Sequence, residues 1–163
     1  MAAPDRRRTV AMVLMVLLVW PMLNMGTAVL APDPDTSEAP DRCPPSSQRC
    51  ARLAHDGSSH RMDDAAPVID MSPCAVHAKV LEWAESERRV SVLHSSGGSE
   101  GPCDHVHLKQ RTLVWGFPDD LHVLLEGDDT STQVTVQSES RLGGSDLGVN
   151  PARIQGLVSF LTT

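Results

Sequence analysis

Apolar and polar positions divide the chain into three stretches. Thr9 to Ala31 carries no charge, and inside it Val10 to Trp20 is a dense apolar run behind Arg6, Arg7 and Arg8. A basic start followed by a short apolar run is the pattern of an export signal. Counted to Ala31 the uncharged run has 23 residues, long enough to span a bilayer with some tilt. A cleaved signal and an uncleaved anchor both fit residues 1–31, with cleavage expected after Ala31 or after Ala28. Either way the arginines stay inside and the rest of the chain lies outside the cytoplasm. Residues 32–71 are rich in Pro, Asp and Ser and have no apolar period, which predicts an extended linker.

From residue 72 the periods become regular. Ser72-Pro73 is a cap with Pro at the first helical position, and Val76, Val80, Trp83 and Ala84 form one apolar stripe. Arg88 and Arg89 suit the negative end of that helix. Four strands follow by alternation: Arg89 to His94, His105 to Trp115, one through Leu121, Val123 and Leu125, and one through Val134 and Val136. The Gly- and Ser-rich loop 95–103, Gly116-Phe117-Pro118-Asp119-Asp120 and Glu126-Gly127-Asp128-Asp129-Thr130 read as the turns between them. Asn150-Pro151 repeats the cap, with Ile154, Leu157, Val158 and Leu161 at helical spacing. Short turns make an antiparallel meander, and each helix has one stripe to bury. The pattern predicts an α+β domain over residues 72–163, a four-stranded antiparallel meander with two amphipathic helices on one face.

Charge narrows the partners. The chain of 163 residues has a formal charge of -7; losing residues 1–31 removes three Arg and one Asp, and -7 minus 2 is -9. An acidic domain with only Lys79 and Lys109 as lysines is a poor match for nucleic acid. Aromatic content of 3% gives no stacking platform. Cys43, Cys50, Cys74 and Cys103 are an even set behind an export signal, the usual setting for disulfides. Cys43 with Cys50 closes a short loop. Cys74 pairs with Cys103 if the first helix packs over the loop before the second strand, and otherwise that pair stays free.

The connection from Ser138 to Asn150 concentrates the specific chemistry. It holds Ser138, Ser140, Arg141, Gly143, Ser145, Asp146, Gly148 and Asn150, with Arg153 just beyond. This tract resembles the closing signature of the family called domain of unknown function 1499. Trp115-Gly116-Phe117-Pro118-Asp119-Asp120 is similar to the family's central part, and Cys43-Pro44 with Cys50 to its opening. The resemblance covers about residues 42–163. It implies an exported or membrane-anchored protein and supplies no reaction, substrate or cofactor.

Three sites compete on the residues themselves. Glycines beside a helix start can present free N–H groups to an anion, with Arg141 or Arg153 adding a bidentate contact. In the alternative, Asp146 pairs with Arg141 or Arg153, Asn150 caps the helix, and the loop is structural. Asp119 and Asp120 are adjacent in a strand, so they face opposite ways, and one is expected to reach Arg141. His105, His107 and His122 share the face opposite Val106 and Leu108, expected to be solvated, and would form a metal site only if the three rings converge. A hydrolase would use Ser145, Asp146 and Arg141, though no nucleophile elbow is present. The reading is an exported envelope protein, non-catalytic and cofactor-free, binding a small anion, a lipid head group or an envelope protein. Its expected place is the periplasm, free or membrane-anchored, or alternatively a thylakoid lumen.

Overall fold

A computed structural model of the chain describes residues 14–15, 18–19, 22, 26, 29–34, 38–97, 101–112 and 116–163. Most of the expected leader, part of the loop 95–103 and the expected strand positions Leu113 to Trp115 lie outside the described residues. The described positions between 14 and 30 are helical, and among the described residues no helix is long and apolar enough to cross a membrane.

The element order is β1 (Cys50–Leu53), β2 (Val68–Ile69), α1 (Pro73–Ser86), β3 (Val90–Ser95), β4 (His105–Arg111), β5 (Pro118–Gly127), β6 (Thr132–Ser140) and α2 (Val149–Leu161). Among the described residues six strands form one antiparallel sheet, ordered β1-β6-β5-β4-β3, with β2 also paired to β6. The α+β class and the meander β3 to β6 agree with the periodicity. The strand count does not: β1 and β2 come from the stretch read as a linker. Without them the outer edge of β6 would leave its N–H and C=O groups unpaired.

The alternation in β4 to β6 sends Val106, Leu108, Leu121, Val123, Leu125, Val134 and Val136 to one face, joined by Ala51 and Leu53 of β1. Against them pack Val76, Val80, Trp83 and Ala84 of α1 and Ile154, Leu157 and Leu161 of α2. Helix α1 begins at Pro73, where the missing N–H costs nothing. It ends as the Glu87 N–H and the Ser86 hydroxyl both donate to the Trp83 carbonyl. Arg88 and Arg89 therefore lie beyond the helix rather than in its last turn. Arg89, at a φ of 62°, turns the chain into β3. The turn before β5 also lies earlier than expected. Thr112 closes it through Phe117 and Gly116, and Pro118 to Asp120 are already strand.

Both cysteine pairs are bridged, Cys43 to Cys50 and Cys74 to Cys103. The first ties the N-terminal segment to β1. The second ties the start of α1 to the loop before β4. Two disulfides are compatible with an oxidising compartment outside the cytoplasm.

Candidate functional site

Below the helix-facing side of the sheet, a polar network replaces the apolar core at one end. Asp119 and Ser138, Ser140 occupy inward positions of β5 and β6, and α2 sends Asn150 and Arg153 down to them. Arg153 donates to Asp119 Oδ2 (2.7 Å), Ser138 Oγ (2.8 Å) and Asn150 Oδ1 (2.6 Å), and also to Gln110 Oε1. Asn150 is fully buried and donates through Nδ2 to the Arg49 carbonyl (2.7 Å) and Ser140 Oγ (3.2 Å). Asn150 was expected to cap α2; instead it sits inside the helix and binds strands β1 and β6 to it. A buried amide is satisfied only by several partners, and the network provides them.

The cap belongs to residues before it. Gly148 is the N-cap, at a φ of 86°, and Gly143 takes 90°. The Asp146 carboxylate accepts from the Gly148 N–H (3.0 Å) and the Asn150 N–H (3.3 Å). It is clamped from behind by both ends of the Arg61 guanidinium, at 3.0 and 2.8 Å. Burial alone would raise the Asp146 pKa, but Arg61 and the two N–H groups hold it below the ordinary carboxylate range. The expected partner of Asp146 was Arg141 or Arg153; Arg61 was overlooked because its segment read as linker. The N–H groups that were to receive an external anion are thus already occupied. Ser145 is exposed and its hydroxyl accepts from the Leu147 N–H (3.3 Å). Ser145, Asp146 and Arg141 do not converge, so the geometry lends a hydrolase no support.

Arg141 crosses to the other side of the sheet. Its Nε and Nη2 grip Asp120 at 2.8 and 2.6 Å, which places the two adjacent aspartates on opposite faces as alternation requires. Asp120 also accepts from His107 Nε2 (2.7 Å). Burial pushes its pKa up, but Arg141 and His107 outweigh this and bring it to about 2. His107 and His122 stack at 3.9 Å, and His105 Nε2 lies 3.1 Å from His122 Nδ1. One of those two nitrogens must donate and the other accept, which requires at least one neutral ring. Burial, then the neighbouring imidazoles of His107 and His105, lower His122 to about 3. Face-to-face rings set their nitrogens side by side rather than around a point. Among the described residues no group of three His, Cys, Asp or Glu is placed to hold a metal.

This histidine face is not solvated as expected, since His107 is only 1% exposed. Residues 31–34 and 38–42 lie as a strap across it. Asp33 pairs with Lys109 (2.6 Å) and Arg141 (2.7 Å), the Pro32 carbonyl accepts from Arg141 (3.0 Å), and the Pro40 carbonyl accepts from Arg52 (3.0 Å). Proline-rich chain forms no ladder, so it is held by carbonyls and charge, which apolar patterning cannot reveal.

A cavity of about 620 Å³ opens where the end of α1, the start of α2 and the β3–β4 edge meet. Its basic wall is Arg88, Arg89, Arg111 and Arg153, helped by Gln110 and Thr112; its apolar wall is Trp83, Val149, Ala152 and Gly156. Among the described residues Glu87 is the one acidic residue lining it. Arg153 is spent on the network beneath and forms the floor. Arg111 donates to the Gly116 carbonyl and Arg89 to the Thr112 carbonyl, so both are held at the rim. Arg88 is exposed and makes no hydrogen bond or ion pair among the described residues. Of the cleft's arginines only Arg153 was singled out from the sequence as a site residue. The others come from two separate segments, and only the doublet Arg88-Arg89 signalled anything, as a helix-end charge.

A comparison with curated proteins found no significant match. A family model, described as a protein of unknown function (DUF1499), matches residues 38–161, a span from the end of the strap to the last turn of α2. With its β1, its polar network and its closing tract all inside the matched region, the chain belongs to the DUF1499 family of proteins of unknown function.

Proposed function

We propose that this is an exported, non-catalytic binding module whose ligand is a small amphipathic anion held in the cleft between α1, α2 and the β3–β4 edge. One observation carries the reading: in a chain of formal charge -7, a cavity of about 620 Å³ gathers four arginines and, among the described residues, one carboxylate. Guanidinium groups gathered around a pocket suit phosphate or carboxylate, and an indole beside two small residues suits a short apolar tail. The polar residues of the Ser138-to-Asn150 tract act behind the cleft: they fix the start of α2 and the height of Arg153, while Val149 of the same tract joins the cleft's apolar wall. Fluorescence titration with hexyl phosphate tests this, because Trp83 lines the cleft. Saturable binding is expected, weakened about tenfold or more in the Arg88→Gln, Arg111→Gln double variant, as loss of charge-assisted contacts implies. No saturation, or equal affinity in both proteins, would remove the reading.

A further inference from the structure

The cleft lies at one end of the sheet together with two other features. β4 ends at Arg111 and β3 begins at Val90, so the cleft's rim sits at that end. β6 ends at Ser140, so the Arg141-to-Gly148 connection leaves from the same end. Arg141 holds the carbonyls of Ala31 and Pro32, so the uncharged stretch before Ala31 also departs there. The β5–β6 hairpin, with Asp128 and Asp129 at its tip, marks the opposite end.

Leu147 stands out at the first end. It is 92% exposed and has a φ of 53°, while Val149, two residues on, is 41% exposed and lines the cleft. A left-handed leucine is unfavourable by about 1–2 kcal/mol relative to glycine, and a leucine left in water forgoes the gain of burial. Among the described residues nothing buries this side chain. The conformation is nonetheless fixed, because Asp146 locks the neighbouring N–H groups and Arg61 locks Asp146.

An apolar knob at the same end of the sheet as the exposed Arg88 and Arg89 suits the interface of an anionic bilayer. We infer that this end of the molecule docks on the membrane, with Leu147 inserted between lipids and Arg88, Arg89 and Arg111 at head-group depth, so that the cleft takes its anion from a lipid. This rests on the cleft reading above and names its ligand class. The net negative charge does not oppose it, since charges more than about 10 Å from the surface are screened at ordinary salt. The acidic hairpin tip faces away, as such docking requires.

The test uses the full chain, whose four native cysteines are bridged. Leu147→Cys and Asp129→Cys are each labelled with an environment-sensitive NBD probe and mixed with phosphatidylcholine vesicles, with and without phosphatidylglycerol. A several-fold emission rise at 147, larger with phosphatidylglycerol, and a silent probe at 129 are expected. Leu147→Asn, which suits a left-handed position, should lose the vesicle-dependent protection of the cleft arginines from phenylglyoxal yet bind hexyl phosphate like the parent. A silent probe at 147, or equal responses at both ends, overturns membrane docking. If hexyl phosphate still binds, the cleft reading stands without it; if it does not, the cleft reading falls separately.

Discussion

Arg153 and Asp119 show how much one residue pair governs. The guanidinium is 8% and the aspartate 1% exposed, and their contact of 2.7 Å is the only charge compensation for either in the network described. Breaking a buried pair from one side leaves an uncompensated charge, at a cost of about 3–5 kcal/mol, whereas replacing both by apolar groups costs far less. Asp119→Leu and Arg153→Met should therefore each lose about that much in urea denaturation, and the double variant should recover a large part of it. Simple additivity of the two losses would show that the pair is not coupled. The sequence made part of this visible. Alternation separated Asp119 from Asp120, and the closing tract flagged Arg153 and Asn150. It did not show who meets whom: Arg61 joined the network from a segment with no periodic signal and Gln110 from a strand whose alternation names a face and no partner, and a contact across 85 residues of chain, such as Arg61 to Asp146, has no local trace.

At the scale of elements, period decided what could be read. Both helices and the strands β3 to β6 repeat for long enough to be recognised, whereas β1 has four residues and β2 two. The strap was invisible for another reason: it adds no apolar stripe and is bound through backbone carbonyls and Asp33. Its presence converts the histidine face from wet to buried, and this has a consequence for pH. His122 ionises at about 3 in the fold against an ordinary 6.5, so the unfolded chain takes up a proton that the folded one refuses. Stability therefore falls as pH drops from about 6.5 towards 3, by up to about 1.4 kcal/mol per pH unit for that one group. Asp120, at about 2 against 3.8, acts in the same sense lower down, contributing fully above 3.8 and being lost towards 2. Urea midpoints measured between pH 7 and 4 should decline, and His122→Gln should flatten the slope between pH 6.5 and 4. An unchanged slope in that variant would place the acid sensitivity elsewhere.

The whole molecule is a thin two-layer fold, one sheet with helices on one side and a strap on the other, and its two disulfides staple different layers. Cys74–Cys103 joins the helical layer to the sheet across 29 positions, while Cys43–Cys50 joins the strap to β1 across 7. Chain-entropy arguments assign about 3.5 kcal/mol to a loop of the first size and about 2.4 kcal/mol to the second. The difference in kind matters more than the difference in size. Opening the first frees the start of α1, whose Val76 and Val80 are wholly buried, so the core itself is loosened. Opening the second frees a segment held, among the described residues, by Asp33 and a few carbonyls, so the core is untouched. Replacing Cys74 and Cys103 by Ala should therefore lower the global unfolding free energy and raise amide exchange throughout the sheet. The Cys43, Cys50 replacement should leave β4 and β5 protected through global unfolding while residues near the strap and β1 exchange faster. If removing the short loop instead melts the whole sheet, the strap is an integral layer of the fold rather than a cover laid over it.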